Sequence, residues 1–485
     1  MGAEKPAKSE DVRFEDLDLI YIIPFDLGAP VDEDLKETIQ RFSKRCKMVE
    51  DYWIFPEETS AGPKSPIFQM IIKEDKSRLD IDYLKRKRYA RLKLSSFYLR
   101  TEDQGLNLQQ LECEPYLLLH KSGIGVLTIW IHLYGGFTAD ELIDIEKKLF
   151  DAKSKIKYFA GDAPEETLRE FVGHKIVASL RNAVLLSEKA HVQPDLRTLY
   201  AGLWRVICIR KHSCNDRCST AEDAIKRHLR ELAGIAMRDK GWRDYREEAA
   251  RDILGENLSY SKDYAMFVTN NVSLFLGSAK LDEKLKVKDD KDLAYREKEL
   301  PLIQTMEILV LSDMILRVYT SIYRNKFSML KGRRRKVMKP SEIAEMREDL
   351  LDALEEYRSV LLFTASINRR ILEKGKERLE LLDEADALRL VLQELDEIAR
   401  TIYEEDISKT QAVLTVLFGI STVLPVAEVL EFVFGSILTK LKAIIIASAI
   451  ILPYPIYTLS SLYEKRWIGI ILILMLELFG IYQVF

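Results

Sequence analysis

Cysteine is scarce in this 485-residue chain. There are five, an odd number scattered from Cys46 to Cys218, and that excludes the disulfide framework of a small secreted domain. Free thiols in a reducing compartment are the expectation. Charge of one sign is not in excess either. Lys and Arg number 73 against 77 Asp and Glu, for a net charge of -4, so the basic bias of a nucleic-acid-binding chain is missing and no nucleic-acid polymer is expected as partner. The first residues, MGAEKPAKSEDVRFEDLD, are charged and hold no apolar signal stretch. Pro6 stands where N-myristoylation requires Ser or Thr. The soluble part is therefore expected on the cytoplasmic side. Catalytic signatures are absent as well: there is no Ser-His-Asp order, no H-E-x-x-H and no kinase set, and an enzyme is not expected. The glycines of HKSGIGV lack the Gly-Lys-Ser/Thr ending of a phosphate loop and read as a hairpin turn.

What is present is a soluble part of ordinary charge followed by an apolar C-terminal region. Three stretches, VLTVLFGISTVLPVAEVLEFVFGSIL, AIIIASAIILPYPIYTLSSLY and WIGIILILMLELFGIYQVF, follow Val413 with little between them. The second and third are each near the roughly 20 residues that cross a bilayer as a helix. The first carries Pro425, Glu428 and Glu431. Two readings stay open for its carboxylates: they line a pore or its mouth in an oligomer, or the helix leaves the bilayer near Pro425 and both lie among headgroups. Glu477 in the third stretch has the same ambiguity. Lys440 and Lys442 in one loop balance Lys465 and Arg466 in the other, so loop charge does not orient the segment. Three spans are favoured over two.

Residues 1–290 mix strand and helix signals, which gives an α/β or α+β cytoplasmic domain. LDLIYIIPF and SPIFQMIIK read as strands, and RYARLKLSSFYLR as a half-buried strand of period two. YLLLHKSGIGVLTIWIHL reads as a hairpin turning at Lys121-Ser122-Gly123. Thr138 and Glu141 form a capping box ahead of Leu142, Ile145 and Leu149. GLWRVICIR is a strand leading to a helix over roughly 220–254, and YAMFVTNNVSLFLG is a second hairpin, turning at Asn270-Asn271. The charged stretch 280–301 separates this domain from a helical region, 291–410. There Leu311, Ile315, Val318 and Ile322 mark one helix, and KGRRRKVMKP ends it. Ser341 caps the next, which has no proline and only Gly375 as far as Gln411. Leu388, Val391, Leu395, Ile398 and Ile402 hold a heptad seam. An unbroken helix of that length would be about 100 Å long, a stalk running into the membrane region 411–485.

This layout resembles the CorA-type divalent-cation channel superfamily. Locally the likeness rests on YAMFVTNNVSLFLG, on PLIQTMEILVLSDMILRVYTSIYRNKF as the first long helix, on EEDISKTQAVLTVLFGISTVLP at the stalk-to-membrane junction, and on YTLSSLYEKRW as a basic inner end of a membrane helix. The resemblance implies a homo-oligomer, pentameric in that family, integral to the cell membrane, with its N-terminal domain cytoplasmic. It also implies a divalent cation, magnesium in that family, as permeant or regulatory ion, and no required cofactor. It does not extend to Gly-Met-Asn, the family's signature after the first span. The matching region here reads Val429 to Gly435. Chains of this kind also serve as membrane effectors of CRISPR type III defence, which implies a nucleotide second messenger as an alternative ligand.

Two smaller groups remain. His212, Cys214, Asp216 and Cys218 are residue types that bind zinc, in a spacing that is not a standard finger; a loop with free thiols is the other reading. Lys331, Arg333, Arg334, Arg335 and Lys336 suit lipid headgroups, phosphates or a nucleotide, or form a solvated turn between helices.

Overall fold

The computed structural model describes residues 12–28, 30–31, 35–55, 65–78, 89–101, 111–151, 156–159, 166–184, 203–214, 218–332, 340–359, 366–435, 440–462, 471–475 and 478. The chain divides into two compact units, Met1–Lys326 with Asp349–Arg389, and Phe327–Glu348 with Leu390–Phe485.

The first unit is built on an 11-stranded mixed sheet. In chain order its strands are β1 (Phe14–Asp26), β2 (Val49–Ile54), β3 (Tyr89–Leu94), β4 (Phe97–Thr101), β5 (Leu111–His120), β6 (Ile124–Phe137), β7 (Ile156–Phe159), β8 (Glu166–Thr167), β9 (Trp204–His212), β10 (Tyr264–Val268) and β11 (Val272–Gly277). The spatial order is β10-β11-β9-β1-β6-β5-β4-β7-β8, with β3 also paired to β5 and β2 to β3. Every pairing is antiparallel except β9 with β11. The expected hairpins at Lys121-Ser122-Gly123 and Asn270-Asn271 are β5–β6 and β10–β11.

Both faces of the sheet are covered, which is why its strands read as nearly continuous apolar runs. Leu17, Leu19, Tyr21, Ile23 and Phe25 of β1 enter one core, together with Leu142, Ile145 and Leu149 of the helix Ala139–Leu149. The Thr138–Glu141 capping box starts that helix. The alternate residues Asp18, Ile20 and Ile22 are equally buried but point the other way, as the two-residue period of a strand requires. That second face meets the helix Lys291–Gly332.

Several expectations are corrected. SPIFQMIIK is not a strand: Pro66–Arg78 is a helix, and its buried Phe68, Ile71, Ile72 and Asp75 fall on one helical stripe. Helical burial outweighs the strand preference of the two isoleucines. The span 220–254 is not one helix. It breaks into Ala221–Arg227, Leu229–Met237, a 3-10 turn Lys240–Asp244 and Glu247–Leu254, with Arg238 left-handed at φ 58. Packing drives the fold-back. A Cβ on Gly234 would lie 2.5 Å from Trp242 Cβ, so glycine alone admits the indole there. The stretch 280–301 is not a linker. It forms the helix Ala279–Leu285 and the first turns of Lys291–Gly332, which runs through Pro301. Asp292, Arg296 and Glu299 of this stretch pair with the sheet. β3 is buried on both faces rather than half-buried, because Arg91 is sunk among acids.

The proposed unbroken helix from Ser341 to Gln411 is also corrected. Residues 360–365 lie outside the described residues, but between Ser366–Arg378 and Leu381–Phe434 the path is broken by Glu380, at φ 54. This last helix, of 54 residues, spans about 80 Å. Leu388, Val391 and Leu395 of the heptad seam are buried, and Ile398 and Ile402 are partly so. The second apolar stretch is helical with one interruption, at Leu452 before Pro453, which divides it into Lys440–Ile451 and Pro453–Leu462. Most of the third stretch, Glu477 included, lies outside the described residues.

Candidate functional site

Among the described residues one helix, Leu381–Phe434, is long and apolar enough to cross a membrane. In its most apolar 18-residue window only 17% of residues are buried, unlike the core helix of a soluble protein. Leu417, Phe418, Leu424, Val429 and Phe432 are exposed, Phe432 to 90%. A contiguous exposed apolar face marks a contact with another protein surface or with lipid. One side is covered: Val423 and Ala427 pack on Ala443 and Ala447 of the next helix, joined by Val426, Leu430, Ile444 and Ile451. Gly419 leaves room for Pro455, since a Cβ there would lie 2.8 Å from the ring. Small residues at a close helix contact are the packing rule inside lipid.

The helix does not end at Pro425 but continues to Phe434. Glu428 is exposed and Glu431 half-buried on this stretch. Of the basic run, Lys331 falls in the final turn of Lys291–Gly332, and Arg333, Arg334, Arg335 and Lys336 lie outside the described residues.

A seam of buried charge that sequence patterning did not reveal joins the sheet to the helix Lys291–Gly332. Arg210 of β9 donates from Nε to Glu299 Oε1 at 2.7 Å and from Nη2 to Glu299 Oε2 at 2.9 Å and Asp18 Oδ2 at 2.5 Å, and it also pairs with Asp292. Asp18 in turn meets His132 of β6. Burial pushes Asp18 up, yet Arg210 and His132 outweigh it and hold the carboxyl at about 2. Glu299 goes the other way, raised by its burial. Arg296 grips Glu114 of β5 at 2.8 and 2.9 Å. Arg91 of β3 lies between Asp75, at 2.8 Å, and Glu307, at 2.6 Å, and Thr128 donates to Glu307 at 2.5 Å. Asp292, Arg296, Glu299 and Glu307 recur at helical spacing, so one helix face carries the whole seam. The signal available in the sequence was Asp18, Arg91 and Arg210 standing inside otherwise apolar strands.

A cleft of about 330 Å³ opens on the opposite side of the sheet from this seam, lined by Lys147, Phe150, Asp151, Arg169, Leu203, Arg205 and Arg238. Buried Glu146 pairs with both Arg205 and Arg238 and fixes their guanidinium groups beside it.

The Cys/His group also comes together. His212 ends β9, Cys214 lies in the turn after it, and Cys218 precedes the Thr220-capped helix Ala221–Arg227. Asp216 lies outside the described residues. A fourth residue not foreseen, His228, sits at the break between Ala221–Arg227 and Leu229–Met237. Cys214 Sγ is 2.9 Å from His212 Nδ1, 2.9 Å from His228 Nε2 and 3.2 Å from Cys218 Sγ.

No family model, no curated protein and no solved structure matches this chain. The class that its own architecture defines is a mixed-sheet domain followed by many helices, with one candidate membrane-crossing helix near the C-terminus.

Proposed function

We propose that the chain is a homo-oligomeric membrane channel of CorA-like architecture that passes cations, divalent ones foremost, with its N-terminal domain on the cytoplasmic side and its apolar helices bundled in the cell membrane. The observation that carries this reading is the 54-residue helix Leu381–Phe434, which starts as a partly buried seam and ends as an uncovered apolar face bearing Glu428 and Glu431. A channel needs both parts: a helix long enough to transmit movement, and carboxylates where a hydrated cation passes. Within the first unit, the charge seam fastens the helix Lys291–Gly332 to the sheet. Purified protein in liposomes tests this. Cation flux above the background of empty vesicles, from particles that are oligomeric by mass, is the expected result. Oligomeric protein with background flux refutes it.

A second reading is a membrane effector switched by a small anionic messenger of the nucleotide class. The cleft favours it, because Lys147 and Arg169, together with Arg205 and Arg238 held by Glu146, line it beside Phe150, with Asp151 the one acid among the lining residues. Cations and an aromatic ring suit a phosphate and a base. Calorimetry against a panel of nucleotides is the test. A binder whose affinity falls at least tenfold in Lys147→Ala/Arg169→Ala supports it, and a panel with no binder counts against it.

A further inference from the structure

We propose that His212, Cys214, Cys218 and His228 hold one structural zinc ion. The donors of Cys214, Cys218 and His228 all lie within 4.8 Å of one another, and His212 Nδ1 is 2.9 Å from Cys214 Sγ. Two thiols and two imidazoles form a Cys2His2 set, and this mixture of sulfur and nitrogen selects zinc over magnesium or calcium, which take oxygen. With Zn–S near 2.3 Å and Zn–N near 2.0–2.1 Å, tetrahedral edges run to roughly 3.3–3.8 Å, so the three contacts to Cys214 Sγ, at 2.9, 2.9 and 3.2 Å, need to open by about half an ångström, while His212, which touches Cys214 but lies outside the mutual set of the other three, has to swing inward to complete the tetrahedron.

The surroundings are those of a closed structural site. Cys218, His212 and His228 are buried and Cys214 half-buried, which leaves no open coordination position for catalysis. Cys218 is packed among the core residues Ala221 and Ala224. Nδ1 of His228, the ring nitrogen that does not face sulfur, has no hydrogen-bond partner, and Glu231 Oε1 stands 3.6 Å away, just beyond hydrogen-bond reach, where a small shift would make it the outer-shell carboxylate of a ligating histidine.

The spacing is His-x-Cys-x3-Cys-x9-His. It stays hidden in the sequence because its last ligand falls where an uninterrupted helix is expected. The site also explains why that helix breaks at His228: the residue leaves helical geometry, at φ -116 and ψ 30, with its imidazole on Cys214. The ion would fix the start of Leu229–Met237, the helix whose capping residue Arg238 reaches the cleft.

The rival is a Cys214–Cys218 disulfide, since the two sulfurs stand 3.2 Å apart. Elemental analysis of full-length protein purified without chelator distinguishes the two. About one zinc per chain is expected, with thiols that react only after the metal is removed. Cobalt exchanged into the site is expected to give tetrahedral ligand-field bands and a thiolate-to-cobalt charge-transfer band. Cys218→Ser loses both metal and bands. His228→Cys keeps the metal as a Cys3His site with a stronger charge-transfer band, a result that a packing role for His228 does not produce. Wild-type protein that is metal-free and takes up no zinc from a buffered micromolar solution overturns the proposal. So does recovery of the two thiols only after reductant, or zinc content unchanged in Cys218→Ser.

Discussion

Arg210 and Glu299 meet through two parallel hydrogen bonds, 2.7 and 2.9 Å long, with both side chains almost wholly out of water and 89 residues apart in sequence. The pair ties a central strand to the long helix. A desolvated pair adds little net stability but is costly to break, because the survivor is stranded. Arg210→Met leaves Glu299 and Asp18 buried together without the guanidinium they share. It is expected to cost about 3–5 kcal/mol, whereas Glu299→Gln, which removes a carboxyl already pushed up by burial, costs much less. Denaturant unfolding of both variants, followed by the signal of the sheet domain, checks the order.

Asp313 gives a pH signature. Burial pushes it up to about 6, against the pull of Arg317. A carboxyl raised in the folded state binds its proton more tightly there than in the unfolded chain. Stability therefore falls as pH rises from about 4 to about 6, and the loss is complete above that. Asp313→Asn should gain on the order of 2 kcal/mol at pH 7.5 and clearly less at pH 5. Thermal melts at the two pH values decide it; an equal gain at both refutes it.

Lys376 works with the opposite sign. Burial lowers it to about 8, and its ammonium lies 5.0 Å from the centre of the Tyr357 ring. The folded state then binds fewer protons than the unfolded one between about 8 and 10.5, so stability rises with pH across that window. Lys376→Met should raise the melting temperature by a few degrees at pH 7 and by less at pH 10.

Gly375 is the point of closest approach between two helices of the first unit. A Cβ there would lie 2.3 Å from Leu309 Cδ1 and 3.4 Å from Met306 Sδ. Gly375→Ala should cost about 1–2 kcal/mol, overpacking set against a better helix former. Leu309→Ala in the same chain should return part of that loss, and additivity of the two changes would rule the contact out as the cause.

If the apolar helices form a cation path, Glu428→Gln together with Glu431→Gln should reduce cation flux several-fold and weaken the preference for divalent over monovalent ions, with oligomer size unchanged. Reversal potentials in planar bilayers under two-salt gradients measure this. Unaltered selectivity would remove both carboxylates from the path.

Elements governed by short-range rules were legible in the sequence: the two hairpins, the Thr138–Glu141 box, β1 and the apolar C-terminal region. Elements governed by distant partners were not. Ile71 and Ile72 read as strand because nothing local reveals the core that selects a helix. Nothing local marks Glu299 and Glu307 as buried, because their partners Arg210 and Arg91 are far away in sequence. His228 was missed for the same reason, while His212, Cys214 and Cys218 were visible as neighbours. The break at Glu380 had no sequence cue, since a non-glycine residue takes the left-handed turn.

The order of elements along the chain sets a timetable. Every strand of the sheet, and the helix that carries the charge seam, is synthesised before Leu381 leads off the apolar helix. At about 5–20 residues per second, the interval from Phe14 to Leu381 lasts roughly 20–70 seconds, ample for a domain to fold as a unit. The apolar segment thus emerges after nearly all of the first unit has been made. If that segment enters a bilayer, defects in the sheet and defects in insertion should separate in time during translation, the first trapping ribosome-bound chains and the second leaving folded protein without a bilayer.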